Sequence, residues 1–192
     1  MNKAFVKEDD SRIDTEPELH LDARADIPAG ARNYMTPKGA KRLRSELDEL
    51  VCNQRPQLLE QINRIDPQDI GSAGEDLRSA KRALRKVARR IDFLVQRLEL
   101  TEVVDPLEIE SDHVQFGATV TVLHEDDSLK EYQIVGIDEA DVGLGRISWT
   151  SPLAKALLDA KSGDVLAFKT PVREEELEVI SIVYQKEHDY DH

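Results

Sequence analysis

Apolar residues between Leu77 and Leu98 recur at alternating steps of three and four, which is the seam pattern of a coiled-coil helix. Such a seam needs a partner helix, and a second apolar stripe precedes it between Leu43 and Ile65. The turn-rich stretch 66–74 separates the two stripes. The pattern therefore predicts an antiparallel helical hairpin. The seam residues are Leu77, Ala80, Leu84, Val87, Ile91, Leu94 and Leu98.

The first helix of this hairpin is predicted over about residues 37–65. Thr36 is a suitable N-cap, and Pro37 suits the first helical position. Pro56 lacks a backbone donor, so we expect a local bend there, but the apolar stripe resumes and the helix continues. Ser72 is the predicted cap of the second helix. Helices of about 25 residues, rising ~1.5 Å each, would carry the tip roughly 38 Å from the base.

From Phe116 onward the apolar period changes to two, which indicates β-strands. Ser151 and Pro152 then repeat the cap-and-proline signal of a helix start, so we predict a short helix over about 153–160. Residues 106–115 are predicted to be a polar connector. The fold class is therefore α+β, with a helical hairpin followed by a small antiparallel sheet and one helix. The strands are predicted over about 118–123, 132–137, 146–150, 164–169 and 177–184.

The predicted organisation divides the 192 residues into four parts. Residues 1–33 show no sustained period and contain scattered acids and prolines, which predicts a flexible N-terminal arm. The hairpin domain is predicted to occupy 34–105 and the sheet domain 106–185. A polar tail, 186–192, follows the last predicted strand.

Net charge is −13, but it is unevenly distributed along the chain. Residues 34–100 carry 14 basic and 10 acidic side chains, whereas residues 101–192 carry 7 and 21. This asymmetry argues against coating of nucleic acid by the whole protein, and it permits one cationic face to approach phosphate. A run of basic residues without any acid lies between Arg78 and Arg90, on the helix side away from the seam. The simpler interpretation is that the acids maintain solubility and the basic run is a solvated surface.

The cysteine count and the hydropathy of the sequence indicate the cellular compartment in which the protein is expected. Cys52 is the only cysteine, so no internal disulfide forms and we expect a reducing compartment. The first residues lack the apolar core of a signal peptide, and no run approaches the ~18 apolar residues of a membrane span. We therefore expect a cytoplasmic protein without membrane contact.

Enzymatic motifs are missing from the sequence. There is no glycine-rich phosphate loop, no nucleophile elbow around Ser151 and no histidine at ligand spacing from Cys52. The one chemical lead is a cluster of acids around the predicted hairpin tip, where two close carboxylates would hold Mg²⁺. Two of these acids equally suit the first turn of a helix, where they favour the macrodipole. The cluster consists of Asp66, Asp69, Glu75 and Asp76.

Several stretches between Tyr34 and Tyr184 resemble the bacterial Gre transcript-cleavage factors, in particular their GreB-like branch. In the hairpin, the resemblance rests on residues 34–39, on Leu47-Asp48-Glu49-Leu50 and on the stretch from Arg89 to Asp105. The C-terminal module carries the more specific combination. It comprises Phe116-Gly117-Ala118, the stretch from Ile134 to Glu139, the stretch from Ser151 to Leu158, and Gly163-Asp164.

The resemblance implies a coiled-coil hairpin and a C-terminal domain of FKBP-like fold. It implies that the globular domain docks on RNA polymerase, with Ser151 and Pro152 as docking candidates, while the hairpin enters the secondary channel. In that family, tip acids help to hold a catalytic Mg²⁺ shared with the polymerase active site, and the polymerase cleaves its own backtracked RNA. We expect a monomer with no cofactor of its own. The basic face toward the RNA 3′ segment maps to Lys81, Arg82, Arg85, Lys86, Arg89 and Arg90.

The hairpin tip departs from the family pattern Gly-Asp-x-Ser-Glu-Asn-Ala. An ungapped register counted back from Asp105 puts Ile70 and Ala73 at the positions of the two acids. The leading hypothesis is therefore a regulator that binds RNA polymerase without stimulating cleavage. The alternative is a cleavage-stimulating factor in which a shifted loop brings Asp69 and Glu75 to the metal.

Two further hypotheses come from other functional classes. The FKBP-like fold alone suggests a prolyl isomerase or a peptide-binding domain, although a fold does not carry an activity. The heptad seam alone suggests a dimerisation module, in which case the first apolar stripe would be surplus. An isomerase pocket would need aromatic lining from Phe116, Tyr132, Trp149, Phe168 and Tyr184.

Overall fold

The computed structural model describes residues 23–24, 26–65, 72–169 and 174–184. The described chain forms a helical hairpin and, after it, a β-sheet with one short helix. The predicted α+β class is confirmed. Within the described part of the chain, no helix is both long enough and apolar enough to cross a membrane.

The first arm of the hairpin begins with helix α1, Pro37–Glu49. Thr36 caps it as predicted, because its hydroxyl oxygen accepts a hydrogen bond from the Gly39 amide at 3.1 Å. A π-helical turn, Leu50–Gln54, follows, and helix α2 then runs over Arg55–Arg64.

The helix predicted over about 37–65 with a local bend at Pro56 is therefore present, and the disturbance takes the form of a π-helical turn before the proline. In the π-turn the Arg55 amide donates to the Leu50 carbonyl, five residues back. Pro56 explains the change, because it has no N–H and its ring would collide with the carbonyl four residues earlier in a regular helix. One wider turn places the proline at the start of α2 without breaking the helical rod.

The second arm is helix α3, Ser72–Glu99, whose 28 residues give a length of ~42 Å. The predicted linker, including Asp66 and Asp69, lies outside the described residues, and the cap predicted at Ser72 stays a prediction. The two apolar stripes face each other as predicted. Around Leu94, which is fully buried, pack Leu43 and Leu50 from the first arm.

A two-stranded parallel sheet closes the base of the hairpin. Strand β1, Asn33–Met35, precedes α1, and strand β2, Thr101–Val103, follows α3. The sequence predicted only a helix stop near β2, because three residues are too few to show a period of two. The predicted flexible arm lies outside the described residues for 1–22 and 25 and stays a prediction there, whereas Ala23 is buried and its carbonyl accepts a hydrogen bond from Arg97 Nη1 of α3.

The described C-terminal region contains five strands in the order β5-β4-β3-β7-β6. All neighbours are antiparallel except β4 and β5, which run parallel and correct the prediction of an antiparallel sheet. The connection between them passes through two 3₁₀ turns, Ile137–Glu139 and Val142–Leu144, and this long crossover returns the chain in the same direction. The strands are β3 Thr119–His124, β4 Leu129–Val135, β5 Arg146–Ser148, β6 Val165–Lys169 and β7 Glu174–Val183.

Helix α4, Pro152–Leu157, is shorter than predicted and packs Ala154 and Leu157 against the sheet. The predicted polar connector 106–115 also needs correction. It contains a 3₁₀ turn at Pro106–Glu108, and Val114 lies fully buried in the sheet core. The Val114 amide donates to the Ala160 carbonyl, and the Val114 carbonyl accepts from the Asp159 amide. These two hydrogen bonds hold the connector against the chain that follows α4.

Candidate functional site

The acids at the described end of the hairpin lie at the start of α3. Glu75 is in the first helical turn, Asp76 follows it, and both are exposed. Asp76 lines a groove between the arms together with Glu60 and Arg64 of α2. At this position both carboxylates favour the positive end of the helix dipole, which agrees with the helix-start interpretation.

The described acids do not fit a metal site. Consecutive residues on a helix point ~100° apart, so the carboxylates of Glu75 and Asp76 diverge. Among the described residues there is no group of three or more His, Cys, Asp or Glu side chains that could hold an ion. In the ungapped register counted back from Asp105, the positions of the family acids would fall on Ile70 and Ala73, whose hydrocarbon side chains offer no oxygen ligand. The Mg²⁺ site stays a prediction that depends on Asp66 and Asp69, outside the described residues.

The basic patch comprises five exposed cations on α3. They follow helical spacing on the side opposite the buried seam, so the seam fixes the direction in which they point. None of the five has an acidic partner within ion-pair distance among the residues that the structure describes. The patch therefore presents uncompensated positive charge, and Asp92 marks its boundary toward the base. The five residues are Lys81, Arg82, Arg85, Lys86 and Arg89.

Arg90, the sixth predicted member of the RNA-facing set, is placed differently. Its Nε and Nη2 atoms donate to the two carboxylate oxygens of Glu46 on α1, at 2.7 and 2.9 Å. These hydrogen bonds raise the pKa of the Arg90 guanidinium above its ordinary value. The guanidinium also lies over the Phe93 ring, 5.1 Å from its centroid. Arg90 thus joins the two arms of the hairpin and is half-buried, which separates it from the exposed patch.

The docking candidates Ser151 and Pro152 lie at the start of α4. The Ser151 hydroxyl oxygen accepts a hydrogen bond from the Ala154 amide at 3.1 Å, which confirms its predicted role as a cap. Pro152 occupies the first turn with its ring exposed. The pair therefore presents a rigid, neutral corner of the sheet domain.

The aromatic residues that an isomerase pocket would need are used elsewhere. Four of them pack against the sheet core, and Phe116 lies beside Tyr34 of β1, with ring centroids 6.0 Å apart. Burial raises the pKa of the Tyr132 and Tyr184 phenols above the ordinary tyrosine value. The four core-packed residues are Tyr132, Trp149, Phe168 and Tyr184.

A buried carboxylate joins the hairpin to the sheet domain. Glu139 Oε2 accepts hydrogen bonds from the amides of Thr36 at 2.9 Å and Gly136 at 3.0 Å, and its Oε1 accepts the Thr36 hydroxyl proton. Gly39 leaves the space for this carboxylate, because a Cβ atom there would lie 2.2 Å from Glu139 Oε1. The residue that caps α1 is therefore itself held by the sheet domain.

A buried ion pair crosses the same junction. The Arg97 side chain, at the end of α3, is 1% exposed, and its Nε donates to Asp138 Oδ2 at 2.7 Å. The same oxygen accepts from Asn33 Nδ2 of β1 at 3.3 Å. Arg42 of α1 donates to the backbone carbonyl of Asp138. These contacts fix the direction in which the hairpin leaves the sheet domain.

The sequence did not predict these junction residues. Asp138 and Glu139 look like ordinary exposed acids in a turn, and Arg97 looks like a favourable cation in the last turn of a helix. The only available signal was the absence of periodicity around them, which does not identify partners forty or a hundred positions away.

Family models match both parts of the chain. The model described as "Transcription elongation factor, N-terminal" matches residues 33–103, which include the hairpin. The model described as "Transcription elongation factor, GreA/GreB, C-term" matches residues 109–184, which include the sheet.

Curated relatives cover most of the chain. The transcription elongation factor GreB of Neisseria meningitidis serogroup B is 42% identical over 156 residues, covering 81% of this chain and 96% of that protein. The transcription elongation factor GreA of Thermodesulfovibrio yellowstonii is 36% identical over 152 residues, covering 79% and 96%.

Two solved structures show weaker similarity. GreA factor homolog 1 of Thermus thermophilus is 24% identical, with a TM-score of 0.37 over 80% of this chain and 99% of that one. The prokaryotic transcription elongation factor GreA/GreB from Nitrosomonas europaea is 22% identical, with a TM-score of 0.36 over 80% and 100%. At these TM-scores the two structures add nothing to what the family models and the curated relatives establish.

Proposed function

This chain belongs to the GreA/GreB family of transcription elongation factors, and from that premise we propose that it regulates elongation by binding RNA polymerase in the cytoplasm. The hairpin enters the secondary channel, while the sheet domain docks outside through the corner formed by Ser151 and Pro152. The protein acts through the polymerase and has no catalytic site of its own.

The observation that carries this proposal is the hairpin with two unlike faces. In the base half of the hairpin the apolar seam is used in the pairing of its own arms, with Leu94 fully buried, so this part of the seam is not available for a second copy. Its opposite face carries the basic patch, whose cations have no acidic partner among the described residues. A backtracked RNA 3′ segment supplies phosphates that match such a face.

The tip supports regulation rather than stimulation of transcript cleavage. Ile70 and Ala73 hold the register positions of the family acids, and the described carboxylates of Glu75 and Asp76 diverge. A factor of this kind occupies the channel and competes with cleavage-stimulating relatives. The second candidate is cleavage stimulation through Asp69 and Glu75, favoured by the exposed Glu75 carboxylate at the described end of α3.

RNA cleavage in stalled elongation complexes tests the proposal. We expect the protein to bind backtracked complexes, to leave their cleavage rate unchanged, and to slow cleavage stimulated by an added cleavage factor. Reversing the charge of Arg82, Arg85 and Arg89 should weaken this competition by at least about tenfold, because three phosphate contacts are lost. The matched control reverses Lys41 and Arg44, which are exposed on α1 of the same hairpin.

Two results would contradict this account. Faster cleavage that disappears in Glu75→Ala would replace regulation with the second candidate. Failure to bind the polymerase at all would remove both candidates.

A further inference from the structure

A segment outside the family domains packs onto the junction between the hairpin and the sheet domain. The N-terminal family model begins at residue 33, yet Ala23 is 1% exposed and its carbonyl accepts a hydrogen bond from Arg97 Nη1 at 2.5 Å. The same guanidinium bonds Asp138 of the sheet domain. Arg97 is therefore the point at which three parts of the chain meet.

We propose that residues 23–32, which we call the clip, lock the angle between the hairpin and the sheet domain by completing the buried site of Arg97. This inference is independent of the proposed function, since it concerns the geometry of the free protein. The clip is a conformational device of this chain rather than of the shared domains.

The clip is attached at both of its ends. At its N-terminal end, the Ala23 carbonyl accepts the hydrogen bond from Arg97. At its C-terminal end, Arg32 forms an ion pair with Glu102 of β2 at 2.5 Å. Between them two turns tighten the backbone, with Ile27 N donating to Arg24 O and Ala31 N to Pro28 O. The described residues of the clip, 23–24 and 26–32, follow the base of the hairpin without a regular helix or strand.

The chemistry of Arg97 explains why the clip matters. A buried guanidinium is tolerated only when its charge is paired and its N–H groups have acceptors. Asp138 supplies the charge and Ala23 supplies a neutral acceptor, while the Phe93 ring lies 5.8 Å below the guanidinium carbon. Removing the clip admits water to the ion pair, and a hydrated ion pair holds its partners much less firmly than a buried one.

The other junction contacts remain when the clip leaves. Glu139 still accepts from Thr36, and the Tyr34 ring still meets the Trp149 ring edge-on with centroids 5.7 Å apart. Loss of the clip should therefore loosen the junction rather than separate the domains. The measurable consequence is a wider range of hairpin orientations.

The distance between one spin label on each domain measures this range. Cys52 is the only cysteine and is exposed on the hairpin, and Val142→Cys adds a second site at a residue that is 90% exposed on the sheet domain. In the doubly labelled full chain we expect a narrow distance distribution. Ala23→Trp, which cannot fit a buried alanine site, should make it at least about twofold wider.

The matched control is Ala29→Trp, an exposed position in the same clip. It should keep the distance distribution of the parent protein. The far-ultraviolet circular dichroism spectrum of every variant should also match that of the parent, which shows that each variant is folded. If Ala23→Trp does not fold, Ala23→Leu in the full chain decides the question, because it overfills the same buried site by less and should still widen the distribution. Arg97→Lys keeps the charge but reaches only one of the two acceptors, and it should give an intermediate width. Parent-like width in the Ala23 variants, or equal broadening by Ala29→Trp, would overturn the proposal.

Discussion

The two halves of the hairpin have the same sequence pattern but different packing. On the base side of the π-turn, α1 buries Gly39, Ala40 and Leu43, which pack with Leu94 of α3. On the tip side the structure describes every residue of α2, and none of them is fully buried. Leu58 and Ile62 are only half-buried against α3.

The difference shows that a heptad pattern specifies which residues face each other and does not specify how well they are covered. The base is covered a second time, by β1, β2 and the sheet domain, whereas the tip side has only two helices. A part with few buried contacts opens locally at low free energy. We interpret the base as the part that positions the hairpin, and the tip side as the part that adapts inside a partner.

The largest test of this comparison is a pair of leucine truncations. Leu94→Ala should lower the free energy of unfolding by about 3 kcal/mol, because it leaves a cavity at a fully buried site. Leu58→Ala should cost about 1 kcal/mol or less, because its site is half-exposed. Urea denaturation followed by helical circular dichroism measures both values. Equal losses would mean that the two halves are packed alike.

The second test removes the charge from the junction carboxylate. Glu139→Gln should cost about 2 kcal/mol, because a neutral amide replaces the carboxylate that now accepts charge-assisted hydrogen bonds from the Thr36 and Gly136 amides and from the Thr36 hydroxyl. The control is Glu110→Gln at an exposed position, which should change the free energy of unfolding by less than ~0.5 kcal/mol. A neutral result for Glu139→Gln would show that the sheet domain does not hold the base of the hairpin.

The smallest test compares two ion pairs along the hairpin. Glu46 and Arg90 bridge the arms with side chains that are 40% and 38% exposed, whereas Glu60 and Arg64 lie within α2 at 63% and 76%. Glu46→Gln should cost about 0.5–1 kcal/mol, and Glu60→Gln should cost less than about 0.3 kcal/mol. The same urea titration resolves the difference if both variants are measured together. A larger cost at Glu60 would reverse the proposed ranking of the two halves.

Periodicity predicted those parts of the fold that are long and regular. The seam of α3 and its partner stripe were found because many residues repeat the same spacing. The π-turn could not be found, since a proline predicts a disturbance but not its geometry. Strands β1, β2 and β5 were harder, because with three residues each they carry almost no alternation of their own.

The candidate site divides in the same way. The basic patch follows from counting charges on one helix face, and the structure leaves five of its six members exposed. Arg90 could not be separated from them, because its partner Glu46 lies on another helix. Glu139 and Arg97 are defined by contacts between distant segments, and a single sequence carries no local sign of such contacts.

The parallel pairing of β1 with β2 has a consequence for how such proteins diversify. It holds the chain that leads into the hairpin and the chain that leads out of it about 4.8 Å apart, on one small platform. The chain between Met35 and Thr101 is thus an insertion whose two ends are already held together by the pairing of β1 with β2. Hairpins of different length or tip chemistry can be grafted onto this platform while the globular body keeps its own fold.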